Sequence, residues 1–329
     1  MLTTINMTTD LEDMNRFSDQ KELQQFYQKL GIDGIELMLV GGTNIPDKIT
    51  QNDVLGLHLN FPPYWYAFWK EDREALLEIF DEEKNWIEFY GGNSPSLLVE
   101  KLKKELDIAA KLQVKYVVFH VSESDLDECF NYKIKHRDEE ICDAAAEIIN
   151  QAMDSFAYSF EFLCENLWWS GLTMLHPEVT KRLMEHIHYE KKGIMLDTGH
   201  LLHTNRKLRS QDEAVAYIHE ILDRHGELCH YIRGVHLQQS LTGEYVEDFL
   251  KSQQDVPMTY YEKMMMVYPH IFKIDLHQPF TAKGVYELIQ RISPSYLTYE
   301  LITETKEDHL KKLEAQLGAM KDSTIKNPS

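Results

Sequence analysis

Seven carboxylate or imidazole side chains stand at or just past the ends of short apolar runs. They are His58, His120, Glu165, Asp197, His200, His236 and Glu300. The runs are rich in Val, Ile and Leu, as in "KYVVFHVS" over 115–122 and "GIMLDTGH" over 193–200. Any one such residue is easily read as a helix cap or a hydrogen-bonded core group. Several of them in one cavity would leave buried charge uncompensated unless a cation held it. Carboxylates with neutral imidazoles suit manganese, zinc, cobalt or ferrous iron, and magnesium less well. A further pair, Asp275 and His277 in "KIDLHQPF", is spaced i, i+2 and so faces one side of an extended segment. Thiolates stay outside the set. Cys164 precedes Glu165, and strand alternation sends it to the opposite face.

Such residues need rigid elements to converge. Eight β-type runs open at "LTTINM" and continue at 34–40, 54–61, 115–122, 159–168, 193–200, 231–238 and 295–302. Between most of them the apolar spacing turns helical, as at Leu98, Leu102, Leu106 and Ala109. Strands alternating with helices imply a parallel sheet with helical crossovers. Eight of them predict a single-domain (β/α)8 barrel over residues 1–320, with a polar tail at 321–329. No G-x-G-x-x-G turn follows the first strand, which argues against an open doubly wound sheet. In a barrel the strands' C-terminal ends build the active site, so the seven residues should share one mouth. Two long connections, 61–96 and 239–278, should reach over it.

Aromatic residues crowd the same region. Tyr64, Trp65, Tyr66, Phe68 and Trp69 follow the third run, and Trp168 and Trp169 follow Glu165. Such rings pack on the C–H faces of a sugar or polyol; alternatively they form a subunit interface, which fits a homo-oligomer. Glu36 reads either as a mouth residue or as part of a polar barrel layer. His203 reads as helix surface, and Met264–Met266 as helix packing. Lys and Arg total 34 against 54 Asp and Glu, a net charge of −20. That balance argues against a nucleic-acid partner. Four cysteines without a CxxC pair, no basic or apolar leader and no apolar run long enough for a membrane span predict a soluble cytoplasmic protein.

The motifs "GIEL", "FHVS", "CENLWW", "MLDTGH", "GVHLQ", "DLH" and "YEL" follow one another in an order that resembles the xylose-isomerase-like barrel superfamily. That superfamily includes sugar isomerases, ketose 3-epimerases, inosose dehydratases, hydroxypyruvate isomerases and abasic-site nucleases of the endonuclease IV type. By position, the resemblance implies an epimerase-type site with one divalent metal (Mn, Zn, Co or Mg) on Glu165, Asp197, His236 and Glu300. The two glutamates would then pass a proton next to a sugar or polyol carbonyl through a metal-stabilised enediolate. His120, His200, Asp275 and His277 would contact substrate oxygens or a further metal. His58, Trp65, Trp168 and Trp169 would contact substrate. The resemblance also implies an alternative, a zinc-dependent phosphodiesterase with a trinuclear cluster, for which most of the same residues have counterparts. Two features depart from that alternative: His58 falls earlier than the pattern places its first histidine, and Gly199 stands where it has cysteine. A third reading is a sugar-binding barrel without catalysis. Net charge and the few nearby basic residues, Lys70 and Arg73, favour the isomerase or epimerase.

Overall fold

The eight apolar runs become eight parallel strands in a computed structural model that describes residues 1–153, 158–252 and 259–321. They are β1 (Leu2–Thr8), β2 (Gly34–Met38), β3 (Val54–His58), β4 (Tyr116–His120), β5 (Glu161–Glu165), β6 (Lys192–Asp197), β7 (Ile232–His236) and β8 (Tyr296–Tyr299). Each pairs with its neighbours in sequence, and β8 pairs with β1, so the sheet closes into a barrel with helices outside. This is the (β/α)8 architecture the alternating pattern implies.

Period-2 alternation sorts the strand residues between two apolar volumes. Inside the barrel, Tyr116, Val118, Leu163, Met195 and Tyr296 form a small separate cluster. Cys164 and the other outward residues join the much larger layer between strands and helices. The interior is tight: a side chain at Gly56 would overlap the Tyr116 ring, so glycine there lets the tyrosine cross the barrel. Above this plug lies a polar layer. The Tyr116 and Thr298 hydroxyls each donate to Glu36 Oε2 at 2.8 Å.

Register carries the functional residues upward from that layer. His120 pairs with Glu165 across β4 and β5, and Asp197 pairs with His236 across β6 and β7. The strands end at these residues rather than running on as the sequence patterns suggest.

The outer helices form where the apolar spacing predicts them. Helix Ser96–Leu112 buries Leu98, Leu102, Leu106 and Ala109 against the barrel. Helix Gln20–Lys29 is capped by Asp19 and followed by Gly31 at φ 73°, the left-handed position glycine takes without strain. The two long connections carry helices of their own. Residues 61–96 hold Tyr66–Trp69, Arg73–Phe80 and Glu83–Tyr90, and residues 239–278 hold Gly243–Lys251 and Tyr260–Ile274. The connections meet, because the Tyr260 amide donates to Asp81 Oδ2 at 2.7 Å.

The three consecutive methionines correct one expectation. Met265 and Met266 are 80% and 42% exposed, so only part of that run packs. Of the expected tail, residues 322–329 lie outside the described residues. Among the described residues no helix is long and apolar enough to cross a membrane.

Candidate metal centre

Glu165 ends β5 fully buried, with four histidines around its carboxylate. His58 Nε2 and His120 Nε2 lie 3.0 and 3.1 Å from Oε2. His236 Nδ1 and His200 Nδ1 lie 3.1 and 3.3 Å from Oε1. His58, which the sequence places too early, therefore sits where the strand order needs it, beside His120.

Asp197 ends β6 and does two jobs at once. Its Oδ1 caps helix Thr198–His203 by accepting the His200 amide at 2.6 Å, and it also accepts Gln238 Nε2 at 3.0 Å. Its Oδ2 is buried with no hydrogen-bond partner. The cap reading and the ligand reading thus apply to different oxygens of one carboxylate.

His236 turns Nδ1 toward Glu300 Oε2 at 2.9 Å and Nε2 toward Glu36 Oε1 at 2.9 Å. Glu36 is therefore in the polar layer, where it fixes the ring from below. A carboxylate on the second nitrogen is the usual partner of a ligating histidine. Beyond β7, Asp275 Oδ2 lies 3.1 Å from His200 Nε2 and 3.6 Å from His277 Nδ1. His277 adopts φ 44°, and both its ring nitrogens are buried without a hydrogen bond. A histidine held in the left-handed region is a mark of local constraint.

Among the described residues these side chains form overlapping groups whose donor atoms lie within 4.8 Å of one another. They are His58–His120–Glu165, Glu165–Asp197–His236–Glu300, Asp197–His200–His277 and Glu36–His58–His236. Each of the first three could hold a metal ion. Asp197 Oδ2 and the His277 nitrogens, buried without a hydrogen bond, fit that use.

The electrostatics describe the cluster with protons in place of cations. Burial opposes charge on every member. Even so, facing His236 and His120 holds the Glu165 carboxyl well below its ordinary range, and His236 does the same for Glu300. Burial also opposes protonation of His200 and His236, yet Asp197 and Asp275 raise the former and Glu300 and Glu36 the latter well above the ordinary imidazole value. His277 rises to about 9 against burial, through Asp275 and Glu300. Burial pushes Asp197 up to about 7.

Several residues hold these groups and escaped the sequence reading. Asn166 receives the Asp197 amide at 2.9 Å and returns a bond to its carbonyl at 3.0 Å, tying β5 to β6. Ser240 donates to Asp275 Oδ1 at 3.1 Å. Gln238 packs against Gly199 so closely that any Cβ there would overlap its amide. Asn166 and Gln238 each lie within two residues of a predicted ligand, which is the signal that could have flagged them. His203 needs correction: it is buried, with Nε2 3.5 Å from Asp275 Oδ1 and its ring 4.5 Å from that of Trp168.

A cavity of about 310 Å³ opens beside the cluster, reaching His58, His120, His200 and Asp275. Trp168 and Trp169 line it, as does Tyr64. Trp65 does not. It is 1% exposed, and its Nε1 donates to the Ser122 carbonyl at 2.8 Å, so it is a core residue rather than a substrate contact.

Solved structures match this chain over nearly its whole length at low identity. A D-tagatose 3-epimerase-like protein aligns with TM-score 0.51 and 15% identity over 97% of both chains. Endonuclease IV from Thermus thermophilus aligns with TM-score 0.53 and 14% identity, over 97% of this chain and 99% of that one. The IOLI protein with a binding zinc atom aligns with TM-score 0.51 and 12% identity, over 97% and 96%. At these identities the likeness is one of fold. A search of curated protein sequences finds no match. The model of the xylose isomerase-like TIM barrel matches residues 25–274, and with the closed eight-strand barrel it places this chain in that family.

Proposed function

We propose that the protein is a zinc-dependent hydrolase of phosphate esters, with three cations held by eight residues at the barrel mouth. The observation that carries this is the sharing of Glu165 and Asp197 between neighbouring donor groups. Bridging carboxylates allow several cations to sit side by side. Glu36, Glu165, Asp197, Asp275 and Glu300 bring five carboxylates to one region, which several cations would balance more fully than one. Five imidazoles and no thiolate favour zinc, with cobalt and manganese next.

Divalent cations there would supply Lewis acidity toward the phosphoryl oxygens. The chain's own residues prepare the centre. Gln238 and the His200 amide occupy Asp197 Oδ1 and leave Oδ2 free. Glu36 holds the His236 ring, and Ser240 holds Asp275. Glu300, whose Oε2 faces His236 Nδ1 at 2.9 Å, is 13% exposed where Glu165 is fully buried, so it is the carboxylate best placed to move a proton. In hydrolysis the water oxygen bonds to phosphorus and the ester P–O bond breaks. The proton that water loses reaches the departing alcohol, with Glu300 as its carrier.

A second reading keeps the sugar or polyol isomerase/epimerase. The quartet Glu165, Asp197, His236 and Glu300 is complete on its own and needs only one ion. Its two glutamates would then be the acid–base pair. Zinc-loaded protein separates the readings. Phenol release from phenyl phosphate or diphenyl phosphate, abolished by chelator and restored by zinc, supports the hydrolase. Solvent deuterium entering a ketose, an inosose or hydroxypyruvate, with no ester cleaved, overturns it in favour of the isomerase.

A further inference from the structure

The cavity beside the metal centre is walled mostly by apolar groups. Phe61, Tyr64 and Trp169 form its sides, and Val267 and Ile271 of helix Tyr260–Ile274 close it from above. Besides Asn60, Ser124 and Tyr268, the polar groups lie at two places. One is the imidazole and carboxylate face of the metal centre. The other is the pair Ser122–Glu123, which lines the cavity from the short antiparallel ribbon it forms with Ser170–Gly171. Ser122 is 8% exposed, and its Oγ is buried with no hydrogen-bond partner. Glu123 is 3% exposed, and its Oε2 accepts the Trp65 and Tyr66 amides at 2.8 and 3.2 Å. Burial raises that carboxyl well above its ordinary range.

We infer that this chamber binds the alcohol part of the substrate, and that this part is a single compact ring bearing a hydroxyl, recognised by Ser122 and Glu123. The inference rests on the phosphate-ester reading of the adjoining centre. The volume admits one ring-sized group, at the lower end of small-ligand pockets, and is far too small for a nucleic-acid duplex. Aromatic and aliphatic walls favour a ring. The unpartnered buried Ser122 hydroxyl beside the Glu123 carboxyl favours a hydroxyl on it, because leaving such groups unmatched costs affinity.

Zinc-loaded protein is titrated calorimetrically with methylphosphonate, benzylphosphonate and 4-hydroxybenzylphosphonate. Benzylphosphonate is expected to bind at least about ten-fold tighter than methylphosphonate, and the hydroxyl to add a further several-fold. Ile271→Trp, at a half-buried roof position that tolerates change, should bring the benzyl-to-methyl ratio close to one. Ser122→Ala should remove the hydroxyl's gain and keep the ring's. Equal affinities for all three in the wild type overturn the inference, as does a ring advantage that survives Ile271→Trp. A parallel titration uses 4-hydroxybenzyl alcohol, which has no phosphonate. If it binds the wild type and not Ile271→Trp while no phosphonate binds, the chamber stands and the phosphate-ester reading falls. If it does not bind and methylphosphonate does, the chamber falls and that reading stands.

Discussion

His58, His120, Glu165, Asp197, His236 and Glu300 end, or immediately follow, apolar strands, and closing the barrel alone brings them together. Burial of the aromatics depends on packing between distant elements, so nothing local distinguishes core Trp65 from cavity-lining Trp168. The same holds for His203, which reads as surface until Asp275 and Trp168 arrive from elsewhere in the chain. Gly199 has a physical reason to lack a side chain, because Gln238 needs its space to reach Asp197. Gly199→Ala should therefore cost about 1–3 kcal/mol and lower the melting temperature by several degrees. It should also weaken zinc binding by displacing the Gln238 amide; calorimetry and zinc titration read the two effects.

The proton-filled centre makes a signed pH prediction. The His277 imidazole is raised from its ordinary 6.5 to about 9, so it binds its proton more tightly folded than unfolded. Its contribution is complete below 6.5 and is lost as pH rises through 9. His200 and His236 shift in the same direction. Glu165, Glu300 and Asp275 are lowered, so their contribution is already complete at neutral pH and is lost only in acid. Metal-free protein should lose thermal stability steadily between pH 7 and 9. Zinc should flatten that slope, because cations take the places of the imidazole protons. Melting curves across this range, with zinc and with chelator, check it.

At the scale of elements, all eight strands and the main outer helices were legible, because period-2 and period-3.6 patterns are local properties of the chain. The two long connections were recognisable as covering elements but not by their content. Their helices are short or have an exposed apolar face, and helix Tyr260–Ile274 leaves Tyr261, Met265 and Phe272 in solvent. That helix is held over the cavity by specific ties. Lys263, 8% exposed, pairs with Asp127 at 2.7 Å, and the Tyr260 amide bonds Asp81. Lys263→Ala should loosen the roof and leave the barrel intact. Amide exchange over 260–274 should quicken by about five- to thirty-fold, equivalent to about 1–2 kcal/mol of local stability, with the β5 and β6 amides unchanged. Equal quickening in the strands would show that the pair stabilises the whole fold instead.

At the scale of the whole molecule, a net charge of −20 surrounds a buried cluster whose donors could hold cations. The outer charge disfavours long polyanions, and the cavity admits only a small group. A centre loaded with the proposed cations inside an acidic protein would favour small phosphate esters over long polyanions. Net charge and the few nearby basic residues pointed toward an isomerase or epimerase. That reading changed because the three-dimensional sharing of Glu165 and Asp197 is invisible in a linear sequence. The central claim is the number of cations. An anomalous-scattering map at the zinc edge, from crystals of zinc-loaded protein, should show three peaks per chain. One should lie among His58, His120 and Glu165, one among Glu165, Asp197, His236 and Glu300, and one among Asp197, His200 and His277. A single peak at the four-residue group, unchanged at saturating zinc, would contradict the account and return the centre to one-metal isomerase chemistry.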